Sequence, residues 1–124
     1  MSKYIKMKKI ICFDLDNVIC KTNKSDYHSS KPIKKNINFI KGLYKKGFIV
    51  KIFTSRYMGR NNENVIKAKK SGYKFTLRQL KSWKVPFHSL IFGKPSYDFI
   101  IDDKSLHFKK NWIKDLKKKL IYKY

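Results

Sequence analysis

Short apolar runs recur along the chain, and their composition predicts strands. Runs at about residues 8–14, 48–53, 89–92 and 99–102 are rich in β-branched and aromatic residues, which is typical of strands buried in a sheet. Residues 17–32 are mostly polar and predict a loop after the first strand. The pattern therefore predicts four strands.

Amphipathic stretches separate these runs and predict helices. Apolar residues recur at helical spacing over about residues 33–46. A second helix is predicted at about residues 62–70, closed by Gly72. Thr76 and Gln79 then have the spacing of a capping box, which predicts that a separate helix begins there. The apolar positions of the two remaining helices are Leu77, Leu80 and Trp83 before Pro86, and Trp112, Ile113, Leu116 and Leu120 near the C-terminus.

Strands that alternate with helices indicate right-handed βαβ units and a parallel sheet. We therefore predict an α/β fold, a three-layer sandwich with a central parallel sheet. The 124 residues contain no repeat, low-complexity linker or domain boundary, and this length suits one domain with its own core. The predicted domain spans residues 1–124.

The chain is strongly basic: 31 lysine and arginine residues against 8 acidic ones give a formal net charge of +23. Such a charge attracts polyanions, including nucleic acid and anionic membrane surfaces. However, the excess is almost entirely lysine and is spread along the chain, as an AT-rich genome would produce. Three explanations stay open: composition bias with solvated lysine faces, attraction of small phosphorylated substrates, and selected binding of nucleic acid or membranes.

The sequence predicts a cytoplasmic protein without a membrane span. No apolar run approaches the roughly 18–20 residues that cross a bilayer. The first run leads directly into Asp14, without the longer apolar region and small-residue cleavage site of a signal peptide. Cys12 falls in a predicted buried strand, so Cys12 and Cys20 suggest no disulfide framework.

Aspartates follow two of the apolar runs. Asp14 and Asp16 end the first run and Asp102 and Asp103 end the last, so half of the 8 acidic residues lie at predicted strand ends. Open α/β sheets bind their ligands at the carboxyl ends of the strands. Carboxylates without a local partner at that edge point to a metal ion or to chemistry on an anion.

Hydroxyl groups and a lysine follow the other two predicted strands. Thr54 and Ser55 end the second strand, and Lys94 follows the third. In a parallel sheet these residues share an edge with the aspartates, where they could bind phosphate oxygens while carboxylates hold Mg²⁺. One carboxylate would remain to attack phosphorus and another to manage the leaving group's proton.

Four motifs, in order, resemble those of the haloacid dehalogenase-like (HAD) phosphatases, over about residues 8–108. They are Asp14-Leu-Asp16-Asn-Val, Thr54, Lys94 in Gly-Lys-Pro, and Asp102-Asp103. The stretches from Ser55-Arg-Tyr-Met-Gly-Arg to Ile101-Asp-Asp-Lys are similar to small phosphatases encoded with bacterial capsule and surface-polysaccharide genes. Asn17 stands where many members have glycine, and asparagine tolerates similar turn geometry.

The resemblance implies a Rossmann-like HAD core and an aspartyl-phosphate mechanism. Asp14 would be the nucleophile. Asp16 would protonate the leaving oxygen, then activate water, and its backbone carbonyl would bind Mg²⁺. Asp103 aligns better with the usual metal-binding carboxylate, with Asp102 in support. The residues expected to bind the phosphoryl group are Thr54, Ser55 and Lys94.

Two of the three arginines flank the second motif. Because the planar arginine fork suits bidentate recognition of phosphate or carboxylate, Arg56 and Arg60 are candidate substrate-binding residues, with surface charge as the alternative. Arg78 is expected on a helix face. Tyr27 and His28 either close over a substrate or belong to a plain surface loop.

The motif spacing leaves no room for a cap domain, so the site would be open unless a homo-oligomer or a large substrate shields it. The leading prediction is a Mg²⁺-dependent phosphomonoesterase acting on a small phosphorylated metabolite, a sugar phosphate of polysaccharide biosynthesis. The alternatives are a nucleic-acid 3′-phosphate phosphatase and a non-catalytic basic module that binds RNA or an acidic partner.

Overall fold

The computed structural model of the protein describes residues 9–121, which divide into two compact units, residues 9–96 and residues 97–121. Two compact units can still belong to one folding domain, so the single domain expected from the sequence stays a prediction.

The first unit is built on a parallel sheet. Its elements are β1 (Ile10–Asp14), β2 (Cys20–Lys21), β3 (Lys31–Pro32), α1 (Lys34–Lys45), β4 (Ile49–Thr54), α2 (Val65–Ser82) and β5 (Ser89–Phe92). Strands β1, β4 and β5 pair in that order, with Phe13 opposite Ile52 and Ile52 opposite Leu90. The strands predicted at 8–14, 48–53 and 89–92 are confirmed.

One face of this sheet forms the core. Val50 and Ile52 are fully buried, as is Ile40 on α1, because the helical spacing predicted for residues 33–46 turns one apolar side of α1 towards the sheet. The other face is less covered: Cys12, expected to be buried, is exposed on the edge strand β1. The described residues thus form an α/β fold, a three-stranded parallel sheet flanked by helices.

The segment predicted as a plain loop, residues 17–32, contains a small second sheet. Strands β2 and β3 pair antiparallel, with Cys20 opposite Pro32. Ile33 donates a backbone hydrogen bond to the Ile19 carbonyl at 2.9 Å, and the Asn36 side chain of α1 donates to the Val18 carbonyl at 2.7 Å. Buried Ile19 and Cys20 hold this hairpin on the core, so its composition, although polar, does not leave it unstructured.

The sequence predicts two helices here, one at about residues 62–70 and one from Thr76 to before Pro86. The structure has one continuous helix, α2 (Val65–Ser82), so the predicted break at Gly72 is wrong. The helix begins at Asn64, whose side chain accepts a hydrogen bond from the Lys67 N–H. Gly72 lies inside this helix. Any larger residue there would place its Cβ on the ring of Tyr57. The glycine therefore allows a close approach rather than ending the helix. No helix within residues 9–121 is long and apolar enough to cross a membrane.

The second unit contains α3 (Trp112–Ile121), as predicted. The rings of Phe108 and Trp112 lie 5.7 Å apart, and Lys109 forms an ion pair with Asp115 at 3.2 Å. The strand predicted at 99–102 is wrong: this segment is irregular, and Ile101 is fully exposed. Its composition suits a strand, but a strand also needs a hydrogen-bonded neighbour, and composition does not supply one.

Candidate active site

Three loops of the first unit meet at the carboxyl edge of the parallel sheet. Asp14 ends β1, Thr54 ends β4, and Lys94 follows β5 by two residues. Because parallel strands end at the same edge, the Lys94 ammonium lies 3.4 Å from Asp14 Oδ1. The structure therefore brings the first and third predicted motifs into direct contact.

Asp14 forms an ion pair with this lysine. Its Oδ1 also accepts a hydrogen bond from the Leu15 N–H at 2.9 Å. Burial raises the pKa of Asp14 above its ordinary value, and the nearby Lys94 ammonium opposes that shift without cancelling it. Asn17, three residues on, has a φ of 69°, so asparagine does adopt the left-handed turn expected of it.

Asp16 is held by Arg56, whose side chain is fully buried. Arg56 Nε donates to Asp16 Oδ1 at 3.1 Å and to Oδ2 at 3.0 Å, and Nη2 donates to Oδ1 at 2.9 Å. Oδ1 also accepts hydrogen bonds from Thr22 Oγ1 at 2.5 Å and from Cys20 Sγ at 3.5 Å. Among the described residues, Oδ2 accepts only from Arg56 Nε, so it keeps lone-pair capacity for a ligand.

The rest of the Arg56 guanidinium is also satisfied by protein atoms. Nη1 donates to Gln79 Oε1 at 2.6 Å and to Thr76 Oγ1 at 3.4 Å, and the Tyr27 ring centroid lies 4.7 Å from Cζ. Gln79 Nε2 in turn donates to the Tyr27 carbonyl at 2.8 Å. Arg56 therefore contacts Asp16, and it also contacts Gln79, Thr76 and the Tyr27 ring. Its predicted role in binding substrate stays a prediction.

Sequence reasoning missed Thr76 and Gln79 as partners of Arg56, because it assigned them to a capping box. Thr76 is fully buried, and residues three apart share one face of a helix. Two polar residues on the apolar face of an amphipathic helix were the signal that could have identified them, since buried polar groups require partners.

Thr54 and Ser55 take different positions. The Thr54 side chain is buried, and its Oγ1 accepts a hydrogen bond from the Arg56 N–H at 3.0 Å. Ser55 instead lines the cavity described below. Of the two hydroxyl residues, Ser55 is the one whose geometry suits direct contact with a ligand.

The turn that carries Lys94 is fixed on both sides. Lys94 donates its backbone N–H to the Thr54 carbonyl at 3.1 Å. Two residues later, the Ser96 N–H and Oγ donate to the Glu63 carboxylate at 2.9 and 3.0 Å. Gly93 has a φ of 105°, which only glycine adopts readily. The position of the lysine is thus set by the backbone around it.

A cavity of about 340 Å³ opens next to these carboxylates, a size typical of small-molecule sites. Arg60 contributes a guanidinium that lies over two rings, 4.7 Å from the Tyr57 centroid and 5.3 Å from the Tyr27 centroid. The cavity is lined by Asp14, Asp16, Asn17, Lys24, Ser25, Tyr27, Ser55, Tyr57, Gly59, Arg60 and Ser96.

Asp102 and Asp103 belong to the second unit. There the Lys104 N–H donates to Asp102 Oδ1 at 2.9 Å, in a turn. Within residues 9–121 no group of three or more His, Cys, Asp or Glu side chains could hold a metal ion. Mg²⁺ keeps several waters and usually takes only one or two carboxylates together with substrate phosphate. The carboxylate of Asp14 at the cavity is compatible with that mode of binding.

A scan of protein families and a search of curated proteins found no match for this chain. A search of solved structures found the crystal structure of a structural-genomics target from Vibrio cholerae. It is 26% identical in sequence, with a TM-score of 0.75, and the match covers 90% of this chain and 98% of that one. The likeness supports the α/β fold and assigns no activity.

Proposed function

We propose that the protein is a Mg²⁺-dependent phosphomonoesterase of the HAD type that works through an aspartyl-phosphate. The observation that carries the proposal is the pairing at the sheet edge. Asp14, with the Lys94 ammonium 3.4 Å away, and Asp16, oriented by Arg56, line one small-molecule cavity. A carboxylate nucleophile, a cation for the phosphoryl charge and a second carboxylate are the groups that this reaction requires.

In the first half-reaction, an oxygen of Asp14 attacks phosphorus and the bond from phosphorus to the ester oxygen breaks. Asp16 Oδ2, part of a carboxylate paired with Arg56, takes a proton from the monoanionic phosphomonoester as it binds and passes it to the leaving oxygen, which departs as an alcohol. The Lys94 ammonium offsets the charge on the phosphoryl oxygens. The product on the protein is a phosphoryl group bonded to Asp14.

In the second half-reaction, water attacks phosphorus and gives a proton to Asp16, which passes it to the departing phosphate and so returns to the carboxylate. The bond from Asp14 to phosphorus breaks, and inorganic phosphate leaves. Arg56 acts as a positioning residue: its fork orients the Asp16 carboxylate so that Oδ2 remains available. Thr22 supports the same carboxylate through Oδ1.

Mg²⁺ is the proposed cofactor. Bound at this edge, it would neutralise charge on the phosphoryl oxygens. Asp14 and the Asp16 carbonyl would hold it, and Asp103 would supply a further carboxylate, with Asp102 in support. The role of these last two residues rests on their resemblance to the fourth HAD motif.

The proposed substrate is a small phosphorylated metabolite, a sugar phosphate in the first instance, bound without a cap domain. The cavity volume of about 340 Å³ favours a small ligand. Ser55, which lines the cavity, and Lys94 are the proposed phosphate-binding residues, with Thr54 supporting the turn through its carbonyl.

The test is phosphate release, with and without Mg²⁺, from sugar phosphates, nucleotides, 3′-phosphorylated oligonucleotides and p-nitrophenyl phosphate. Asp14→Asn should lower kcat at least about a thousandfold, as loss of a nucleophile does, while circular dichroism stays unchanged. The exposed Asp98→Asn is the matched control and should keep full activity. Turnover that survives in Asp14→Asn, or a wild-type protein that hydrolyses nothing, refutes the proposal.

The metal assignment has its own measurement. Asp103→Asn should raise the Mg²⁺ concentration that gives half-maximal rate more than Asp102→Asn does. The reverse order would make Asp102 the direct ligand. An unchanged Mg²⁺ dependence in both variants would refute the assignment of Asp102 and Asp103 as metal ligands.

A further inference from the structure

Arg60 is a cation at the cavity that pairs with no carboxylate of residues 9–121. Asp14 is paired with Lys94, and Asp16 is paired with Arg56. Among the described residues Arg60 pairs with no carboxylate, and its one protein hydrogen bond runs from Nη2 to the Ser25 carbonyl at 3.1 Å. An anion is therefore the natural ligand for this guanidinium.

The Arg60 side chain is also held in place, unlike most exposed arginines. Its guanidinium lies over the rings of Tyr57 and Tyr27, 4.7 and 5.3 Å from their centroids. Contacts of this kind with aromatic faces are attractive and restrict the cation. The two ring centroids are themselves only 4.9 Å apart, so both rings contact the guanidinium from the same side. Its remaining N–H groups, directed away from the rings, are the ones available to a ligand.

A lysine adds to the positive charge of Arg60 at the cavity. Lys24 lines the same cavity, and among the described residues it too pairs with no carboxylate. Asp14 and Asp16 at the cavity thus each form an ion pair, whereas Arg60 and Lys24 form none with the described residues. Two unmatched cations beside a phosphate site favour a substrate with more than one anionic group.

We infer that the substrate is a phosphomonoester that carries a carboxylate as a second anionic group, which Arg60 binds through its planar fork. This inference rests on the proposed function and narrows its substrate class from sugar phosphates in general to phosphorylated sugar or polyol acids. The planar fork of arginine binds carboxylates and phosphates alike. A cavity of about 340 Å³ that must also hold the scissile phosphate favours the smaller anion, a carboxylate, and Lys24 adds charge without fixed geometry.

The experiment uses matched substrate pairs that differ only by a carboxylate in place of a hydroxymethyl group. Glucuronic acid 1-phosphate is compared with glucose 1-phosphate, and 3-phosphoglycerate with glycerol 3-phosphate. In at least one pair, the acid should have a kcat/KM about 10- to 100-fold higher, the range expected for hydrogen bonds between charged groups. p-Nitrophenyl phosphate, assayed in parallel, reports the phosphatase activity itself.

The variants are Arg60→Gln, Arg60→Lys and the matched control Arg78→Gln. Arg78 is an exposed residue of α2 outside the cavity lining, so its exchange changes net charge equally. Arg60→Gln should abolish the preference for the acid, because it lowers kcat/KM for the acid about 10- to 100-fold more than kcat/KM for the neutral partner. Arg60→Lys should keep part of the preference because it retains the charge, and Arg78→Gln should keep all of it.

Three results would overturn the inference while the proposed function stands. They are p-nitrophenyl phosphate hydrolysis with no preference for either acid, a preference that survives in Arg60→Gln, and an equal loss on both members of a pair. The last result would mean that Arg60 binds the scissile phosphate or only supports the fold. If folded protein with Mg²⁺ hydrolyses no phosphomonoester, the proposed function fails, and this inference fails with it.

Discussion

Replacing Arg56 by methionine would isolate the ion pair on which the candidate site depends. The change removes three hydrogen bonds to the Asp16 carboxylate. It also removes the hydrogen bonds that the guanidinium donates to Gln79, Thr76, Cys20 and Ser30. It leaves that carboxylate partly buried without its counter-ion. We expect a folded but clearly less stable protein.

The magnitude follows from the burial of the two partners. Breaking a buried pair by removing one partner costs about 3–5 kcal/mol. Arg56 is completely buried, but 21% of the Asp16 side chain is exposed, so water can partly solvate the abandoned carboxylate. The lower end, a loss of about 3 kcal/mol in the free energy of unfolding, is therefore expected. For a chain of this size that lowers Tm by about 10 °C or more.

Urea unfolding followed by far-UV circular dichroism measures this loss, and a double-mutant cycle assigns its cause. Arg56→Met together with Asp16→Asn removes both charges, so the double variant should cost at least about 2 kcal/mol less than the sum of the single ones. The control Arg78→Met, an exposed residue on α2, should stay within about 0.5 kcal/mol of wild type.

Two results would refute this reasoning. One is a free energy of unfolding for Arg56→Met within about 1 kcal/mol of wild type, because removing one partner of a buried ion pair should cost more than that. The other is additivity within about 0.5 kcal/mol, which would mean that the two side chains do not stabilise each other.

Three further expectations concern stability. Gly72→Ala should cost about 1–3 kcal/mol because the new Cβ overlaps the Tyr57 ring. Gly42→Ala, in a helix with open space around the site, should instead stabilise the protein by about 0.5–1 kcal/mol. If the urea midpoints of the two variants shift in the same direction, the predicted overlap with Tyr57 is wrong. Asn64→Ala should lose about 1 kcal/mol through the missing cap, measured as a lower Tm. Burial raises the pKa of Asp14, so the folded state binds a proton more tightly than the unfolded chain, and stability falls as pH rises through the folded-state value. In metal-free protein Asp14→Asn should therefore raise Tm at neutral pH, with the gain shrinking towards acidic pH; a lower Tm at neutral pH would count against it.

The sequence pattern predicted the structure correctly where a residue's position depended only on the helix or strand to which it belongs. Ile37, Ile40 and Leu43 recur at helical spacing, and all three are buried in α1. The Phe-Ile-Val and Ser-Leu-Ile-Phe runs are short and β-branched or aromatic, and they form β4 and β5 at the expected places. The parallel order of the strands then placed Lys94 next to Asp14, as the alternation of strands and helices implied.

The pattern was insufficient where the outcome depended on a distant partner. A glycine costs a helix only about 1 kcal/mol, which tertiary contacts exceed, so Gly72 does not interrupt α2. Thr76 and Gln79 look like a cap until the buried Arg56 guanidinium that they bind is known. Residues 99–102 have the composition of β1 but remain irregular, because a strand is defined by a neighbour that the segment's own sequence does not specify.

The anchored turn around Lys94 has a consequence for turnover. Its backbone is tethered to Thr54 on one side and, through Ser96, to Glu63 on the other. The entropy of ordering this backbone is thus lost once, when the chain folds, and not again in every catalytic cycle. In the proposed chemistry Glu63 touches no reacting atom. By holding Ser96 it would still influence the rate, because it keeps the backbone turn that carries Lys94 in place before a ligand binds.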